Sequence, residues 1–207
     1  MTASARERGA LVETFNAIGP DAPTLCGEWT TRDLAAHLVV RERRPDAAIG
    51  IAVPALAGYT DRLQKSLATS TDWEDLVHMV AMGPPIYSPF KLLDPLVNVG
   101  EMFIHHEDVR RAQPDWQPRA LEASLISAVR RGLPLMSRMM LARAPARVRL
   151  RDSDGATVAT IGRGPEVVIT GEAPELLLFV SGRDAVRLEF AGDAETIAGI
   201  RAARRGL

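Results

Sequence analysis

A single cysteine, Cys26, among 207 residues leaves nothing for an internal disulfide to join, which fits a reducing compartment. Long apolar runs are missing too. No stretch approaches the ~20 residues that cross a bilayer, so no membrane span is expected. Nor is there an excess of one charge: 25 Lys and Arg stand against 26 Asp and Glu, for a net charge of −1. That balance removes the general pull toward nucleic acid or acidic membrane surfaces. The opening segment "MTASARERGALVETF" interrupts its apolar positions with charges and offers no small-residue cleavage site, so no signal peptide is expected. These absences point to a cytoplasmic globular protein with neither nucleic acid nor membrane as partner. Monomer and homodimer both remain open.

The apolar share, 46%, is enough for one full core and a small second one. Up to about Leu141 the periodicity is helical. Leu11, Phe15 and Ile18 form one face of a first helix that ends at Gly19-Pro20. A second helix opens at "TTRDLAAHLVVRERR", where Thr30 is an N-cap, Asp33 answers it as a capping-box partner, and Pro45 bends or ends the helix. "PALAGYTDRLQKSLA" and "DWEDLVHMVA" form a third, broken helical region. A fourth helix runs from about Asp94, with Pro95 in its first turn, and stops before Pro114. A further one spans about Pro118 to Ala142. After Ala144 the pattern changes to alternating, β-branched segments, "ARVRLRD", "ATVATIG" and "EVVITG", with Asp154-Gly155 as a hairpin signal. "APELLLFVSG" reads as a helix, "AVRLEFAG" as a strand and "AETIAGIRAARR" as a closing helix. The expected fold is α+β: a helical bundle over residues 1–144 and a small α+β domain over 145–207.

The fourth helix carries the chemistry, in "NVGEMFIHHEDVRRAQP". At about 100° per residue, Glu101 and His105 lie about 40° apart, and Asp108 lies about 60° from His105 on its other side, so all three can face one volume. His106 points elsewhere. His37 sits among Leu34, Leu38 and Val39 on the inward side of the second helix, where an imidazole needs a partner. If the second and fourth helices are neighbours, His37, Glu101 and His105 converge. Two histidines and one carboxylate leave a coordination position open for water or substrate, the pattern of a catalytic zinc site. A Glu and a His four residues apart are equally compatible with a plain surface pair. H-E-x-x-H is absent, because position 110 is Arg. Arg41 and Arg44, four and seven residues beyond His37, are candidates to bind a carboxylate or to pair with acids on the fourth helix. Asp108 is a candidate to orient a ligand imidazole. Cys26 and His78 read as packing or surface residues.

Taken together, "LCGEWTTRDLAAHLVVRERRPDA" and "NVGEMFIHHEDVRRA" resemble the DinB-like metal-binding superfamily, in the actinobacterial branch related to mycothiol-dependent maleylpyruvate isomerase. "ITGEAPELLLFVSGR" resembles the C-terminal unit of that branch. The resemblance implies a DinB-type four-helix bundle with a divalent metal, usually zinc, held by His37, Glu101 and His105. Asp33, Arg41, Arg44 and Asp108 are then candidates for supporting the metal or binding an anion. It also implies mycothiol as a cofactor. "RERRPDA" after His37 resembles a subgroup described only as metal-binding, so the substrate does not carry over.

Three functions follow as expectations. The first is a metal- and thiol-dependent isomerase or S-transferase acting on a small anionic electrophile, in which a metal-held thiolate adds to an electron-poor double bond, permits rotation and leaves. The second is a non-enzymatic protein in which the metal braces the bundle and the C-terminal domain binds a ligand or partner. The third is a lipid carrier working through the C-terminal domain, which has some likeness to sterol-carrier folds.

Overall fold

The computed structural model describes residues 2–47, 53–88, 91, 97–203 and 205. The chain is mixed α+β and divides into two compact units, residues 1–117 and 118–207. None of the helices among the described residues is long and apolar enough to cross a membrane.

The first unit is helical. Helix α1 (Ala3–Ile18) ends at Gly19, whose φ of 79° suits a residue without a Cβ. Helix α2 (Thr31–Arg43) opens with the expected capping box: the Thr30 hydroxyl accepts from the Asp33 amide, and the Asp33 carboxylate accepts from the Thr30 amide. It closes where Arg44 donates its amide to the Val40 carbonyl, one residue before Pro45. The broken third region is two helices, α3 (Ala57–Ser70) and α4 (Trp73–Met82), separated at Thr71 and Asp72. Helix α5 (Val97–Arg111) ends before Pro114, while its expected start at Asp94 and Pro95 lies outside the described residues. Helix α1 packs on α4 and α5, and α2 packs on α3 and α4. Leu11, Phe15, Leu34, Leu38, Leu76 and Met102 are fully buried in the shared core. Each such side chain contributes roughly 1.5 to 3 kcal/mol.

The second unit begins with helix α6 (Ala123–Met140), five residues later than its expected start at Pro118. It continues with strands β1 (Arg147–Arg151), β2 (Thr157–Ile161) and β3 (Glu166–Thr170), helix α7 (Ala173–Val180), strand β4 (Glu189–Ala191) and helix α8 (Ala194–Ala202). The sheet order is β2-β1-β3-β4. Strand β1 is antiparallel to β2 and parallel to β3, and β3 is antiparallel to β4. The turn joining β1 to β2 closes at Gly155, with φ of 86°, as its amide donates to the Asp152 carbonyl. Val148, Leu150, Val167 and Ile169 are fully buried at every second position, the period of a half-covered sheet. Helix α6 packs on α7 and β2. The expected boundary after residue 144 assigns α6 to the bundle, whereas the compact units divide after Gln117. Periodicity identifies the buried face of a helix and says nothing of what covers it.

Charges are buried within the first unit. Arg8 donates through both terminal nitrogens to the Glu42 carboxylate and through one of them to the Val80 carbonyl, tying α1, α2 and α4 together. Glu42 is 1% exposed. Removing one partner of such a pair strands the other charge away from water. Glu42→Ala is therefore expected to cost about 3 to 5 kcal/mol in urea unfolding. A loss below about 1 kcal/mol, the range of exposed ion pairs, would refute a buried pair.

Candidate metal centre

The capping box aims α2, and three turns of that helix carry Asp33, His37 and Arg41 at four-residue spacing. Asp33 is consumed by the cap, where it also accepts from the Thr30 hydroxyl at 2.9 Å. His37 is 7% exposed, with the Trp29 ring 5.1 Å from its own and the His105 ring 5.2 Å away in an edge-on arrangement. Helix α5 brings Glu101, His105 and Asp108 to the same place. The loop between α1 and α2 is held there by the backbone, as the Leu25 amide donates to the Asp108 carbonyl at 3.0 Å.

Glu101 Oε1 is the meeting point. It lies 3.1 Å from His105 Nε2, 3.3 Å from Arg41 Nε and 3.9 Å from His37 Nε2. The opposite edge of each imidazole is engaged as well: Gln64 Oε1 on α3 lies 3.3 Å from His37 Nδ1, and Asp108 Oδ2 lies 3.0 Å from His105 Nδ1. Cys26 donates its thiol hydrogen to that same Asp108 oxygen at 3.0 Å and stands 4.0 Å from His105 Nδ1.

Burial and charge act on these groups in opposite directions. Burial favours the neutral His37 imidazole and pulls its pKa down against the pull of Glu101. For Glu101, burial favours the acid, but the Arg41 charge and the hydrogen bond from His105 outweigh it and hold the carboxyl well below its usual range. For His105, burial is likewise outweighed, by hydrogen bonds with Asp108, Cys26 and Glu101 that raise the imidazole well above its ordinary value. Without metal, the surroundings favour the proton on His105 and the neutral form of His37.

Among the described residues, two overlapping sets have donor atoms within 4.8 Å of one another: His37, Glu101 and His105, and Cys26, His105 and Asp108. Two nitrogens on a tetrahedral zinc with bonds of about 2.0 to 2.1 Å stand about 3.3 Å apart. The 3.1 and 3.9 Å separations in the first set bracket that edge. Two imidazoles and a carboxylate also suit a borderline divalent ion. The carboxylates of the two sets differ in access, the Glu101 side chain being 23% exposed and that of Asp108 0%, while Cys26 of the second set is itself partly exposed.

The sequence-derived candidates fall into two groups. His37, Glu101, His105, Arg41 and Asp108 are together. Asp33 is in the cap, and Arg44 is half-exposed at the end of α2, where it pairs with Asp46 at 2.8 Å and donates to Tyr59. Arg41 meets Glu101 and Asn98, while Glu107 takes Arg110 and Arg111. His106 faces α1, bonded to Glu7 at 2.8 Å and Thr14 at 2.9 Å, and His78 is exposed. Gln64 and the placement of Cys26 are not legible from motifs. The one trace of Gln64 is its place in the buried stripe Thr60, Gln64, Ala68 of α3, where a long polar side chain stands between two small residues.

No family model matches the sequence, and no curated protein sequence is similar to it. Two solved structures share the fold. A crystal structure of the mycothiol-dependent maleylpyruvate isomerase superposes with a TM-score of 0.55 at 13% identity, over 93% of this chain and 92% of that one. A histidine-to-alanine mutant of the mycothiol-dependent maleylpyruvate isomerase superposes with a TM-score of 0.65 at 10% identity, with the same coverage. At these identities the likeness is one of fold.

Proposed function

We propose that the protein is a metal- and thiol-dependent enzyme, an isomerase or S-transferase acting on a small anionic electrophile. His37, Glu101 and His105 hold a divalent metal, zinc, and mycothiol is the thiol. The helical unit is then a DinB-type four-helix bundle. The observation that carries the reading is the convergence of His37 Nε2, His105 Nε2 and Glu101 Oε1 from two helices at one partly exposed point. The shared fold with a mycothiol-dependent isomerase supports it.

A zinc ion held by His37, Glu101 and His105 would supply Lewis acidity and favour the thiolate form of a thiol. The protein's own groups prepare the site for it. Asp108 holds the hydrogen at His105 Nδ1, which leaves Nε2 to face Glu101. Arg41 balances the Glu101 charge in a buried setting, so the carboxylate stays ionised. Trp29 packs beside His37, its ring tilted by 44° at 5.1 Å. The exposed flank of Glu101 is the side from which small molecules reach the site.

The alternative, a non-enzymatic protein braced by its metal, draws on the second donor set, whose Asp108 is fully buried. Cobalt substitution separates the two. A thiolate-to-cobalt charge-transfer band before any thiol is added would report Cys26 as a ligand and favour the brace.

His37→Ala, Glu101→Ala and His105→Ala are each expected to lower bound metal from near stoichiometric to a small fraction, measured by elemental analysis of untagged protein. His78→Ala and His106→Ala keep it, the latter with reduced stability. Unchanged metal in the first three variants would sink the ligand assignment. Calorimetric titration of the zinc-loaded protein with mycothiol is expected to show binding that Glu101→Ala abolishes, and metal without thiol binding would favour the brace.

The raised His105 pKa adds a pH dependence. The imidazolium must lose its Nε2 hydrogen before a cation can take that nitrogen, so zinc affinity falls as pH drops and goes on rising as pH climbs through neutrality. Zinc titrations near pH 7 in buffers of differing ionisation enthalpy are expected to report release of about one proton per metal. Heats independent of the buffer would contradict a protonated His105.

A further inference from the structure

We infer that Gln64 is a positioning residue that sets the tautomer of His37, keeping the ring hydrogen on Nδ1 so that the Nε2 lone pair faces Glu101 and His105. The inference rests on the metal site proposed above and adds a residue on a third helix to it.

Gln64 lies midway along α3, 5% exposed, with Oε1 3.3 Å from His37 Nδ1. A carbonyl oxygen can only accept, so this contact requires a hydrogen on Nδ1. A neutral imidazole carries one hydrogen, and its other nitrogen is then a bare donor pair. In His37 that other nitrogen is Nε2, 3.9 Å from Glu101 Oε1. The contact therefore selects the one tautomer that can ligate on the Glu101 side. A histidine left to water prefers its hydrogen on Nε2, which would present an N–H to the cation position.

His105 is arranged the same way, with Asp108 Oδ2 in place of the amide at Nδ1. The two supports differ in charge. The support at His105 is a carboxylate, whereas the support at His37 is an amide, which holds the hydrogen without adding charge. Buried polar groups are almost always matched. Gln64 has a long polar side chain in a stripe otherwise made of Thr60 and Ala68, and His37 Nδ1 meets it there.

Two substitutions separate the amide's accepting end from its donating end and from its bulk. Gln64→Leu keeps the volume and removes the acceptor. Gln64→Glu can only accept when ionised, so it preserves the proposed contact and deletes the amide hydrogens. Two-bond nitrogen–proton correlations of the imidazole ring, recorded on metal-free protein, read the tautomer without activity or metal. Wild type and Gln64→Glu are expected to show His37 with hydrogen on Nδ1, and Gln64→Leu to move it to Nε2. Zinc competition against a chromophoric chelator is expected to show Gln64→Leu about ten- to a hundredfold weaker than wild type and Gln64→Glu tighter than Gln64→Leu. Urea midpoints for each variant separate folding from positioning. An Nδ1 hydrogen that persists in Gln64→Leu, or zinc affinity unchanged in that variant while His37→Ala loses it, overturns the inference. If wild type binds no zinc, the proposed function fails, and the ring correlations alone decide whether Gln64 sets the tautomer.

Discussion

Helix α5 buries His105, His106, Glu107 and Asp108 in succession, at 7, 3, 1 and 0% exposure, and the first unit is organised around pairing them. An unpaired buried charge costs several kcal/mol, so each of the four constrains a neighbour. His106 is met by Glu7 and Thr14 of α1, Glu107 by two arginines of its own helix, and Asp108 by His105 and the Cys26 thiol. A helix with polar groups on every side usually faces solvent. This one is interior because its partners arrive from α1 and from the loop before α2.

That pairing also divides labour between the two histidines at the centre. His105 stands between two carboxylates, which raise its pKa, whereas His37 stands between an amide and a carboxylate, and burial lowers its pKa. A cation at Glu101 would compete with a proton more strongly at His105 than at His37, and its charge would lie beside Glu101, with Asp108 behind His105. The surroundings are arranged for a positive centre whichever species supplies it.

Local signals carried most of the fold. The Thr30–Asp33 box, Gly19, the end of α5 before Pro114 and the alternating residues of β1 and β3 each depend on neighbours within a few positions, and each is found in the structure. Helical spacing likewise put Glu101, His105 and Asp108 on one face and turned His106 away. Long-range contacts were beyond such signals. Arg44 lies in the direction of His37 on a helical projection, yet it is at the last turn, where Asp46 and Tyr59 are nearer than the site. The partner of α6 depends on β2 and α7, more than ten residues away along the chain. Gln64 and Cys26 reach the histidines through tertiary packing alone, 27 and 79 residues distant in sequence.

Cys26 shows how one hydrogen bond decides between the two donor sets. His105 belongs to both, through opposite nitrogens. While Asp108 accepts the hydrogen at Nδ1, that edge has no lone pair to offer and the Cys26 side cannot take a cation through His105. The thiol hydrogen rests on the same Asp108 oxygen, so the carboxylate is occupied twice over. A cation on that side would have to displace both hydrogens from a carboxylate with no exposed surface, whereas at Nε2 it meets a lone pair or one removable proton beside a 23% exposed glutamate. The difference favours the Glu101 edge, and it also gives Cys26 a part as a donor that helps keep Asp108 turned toward His105.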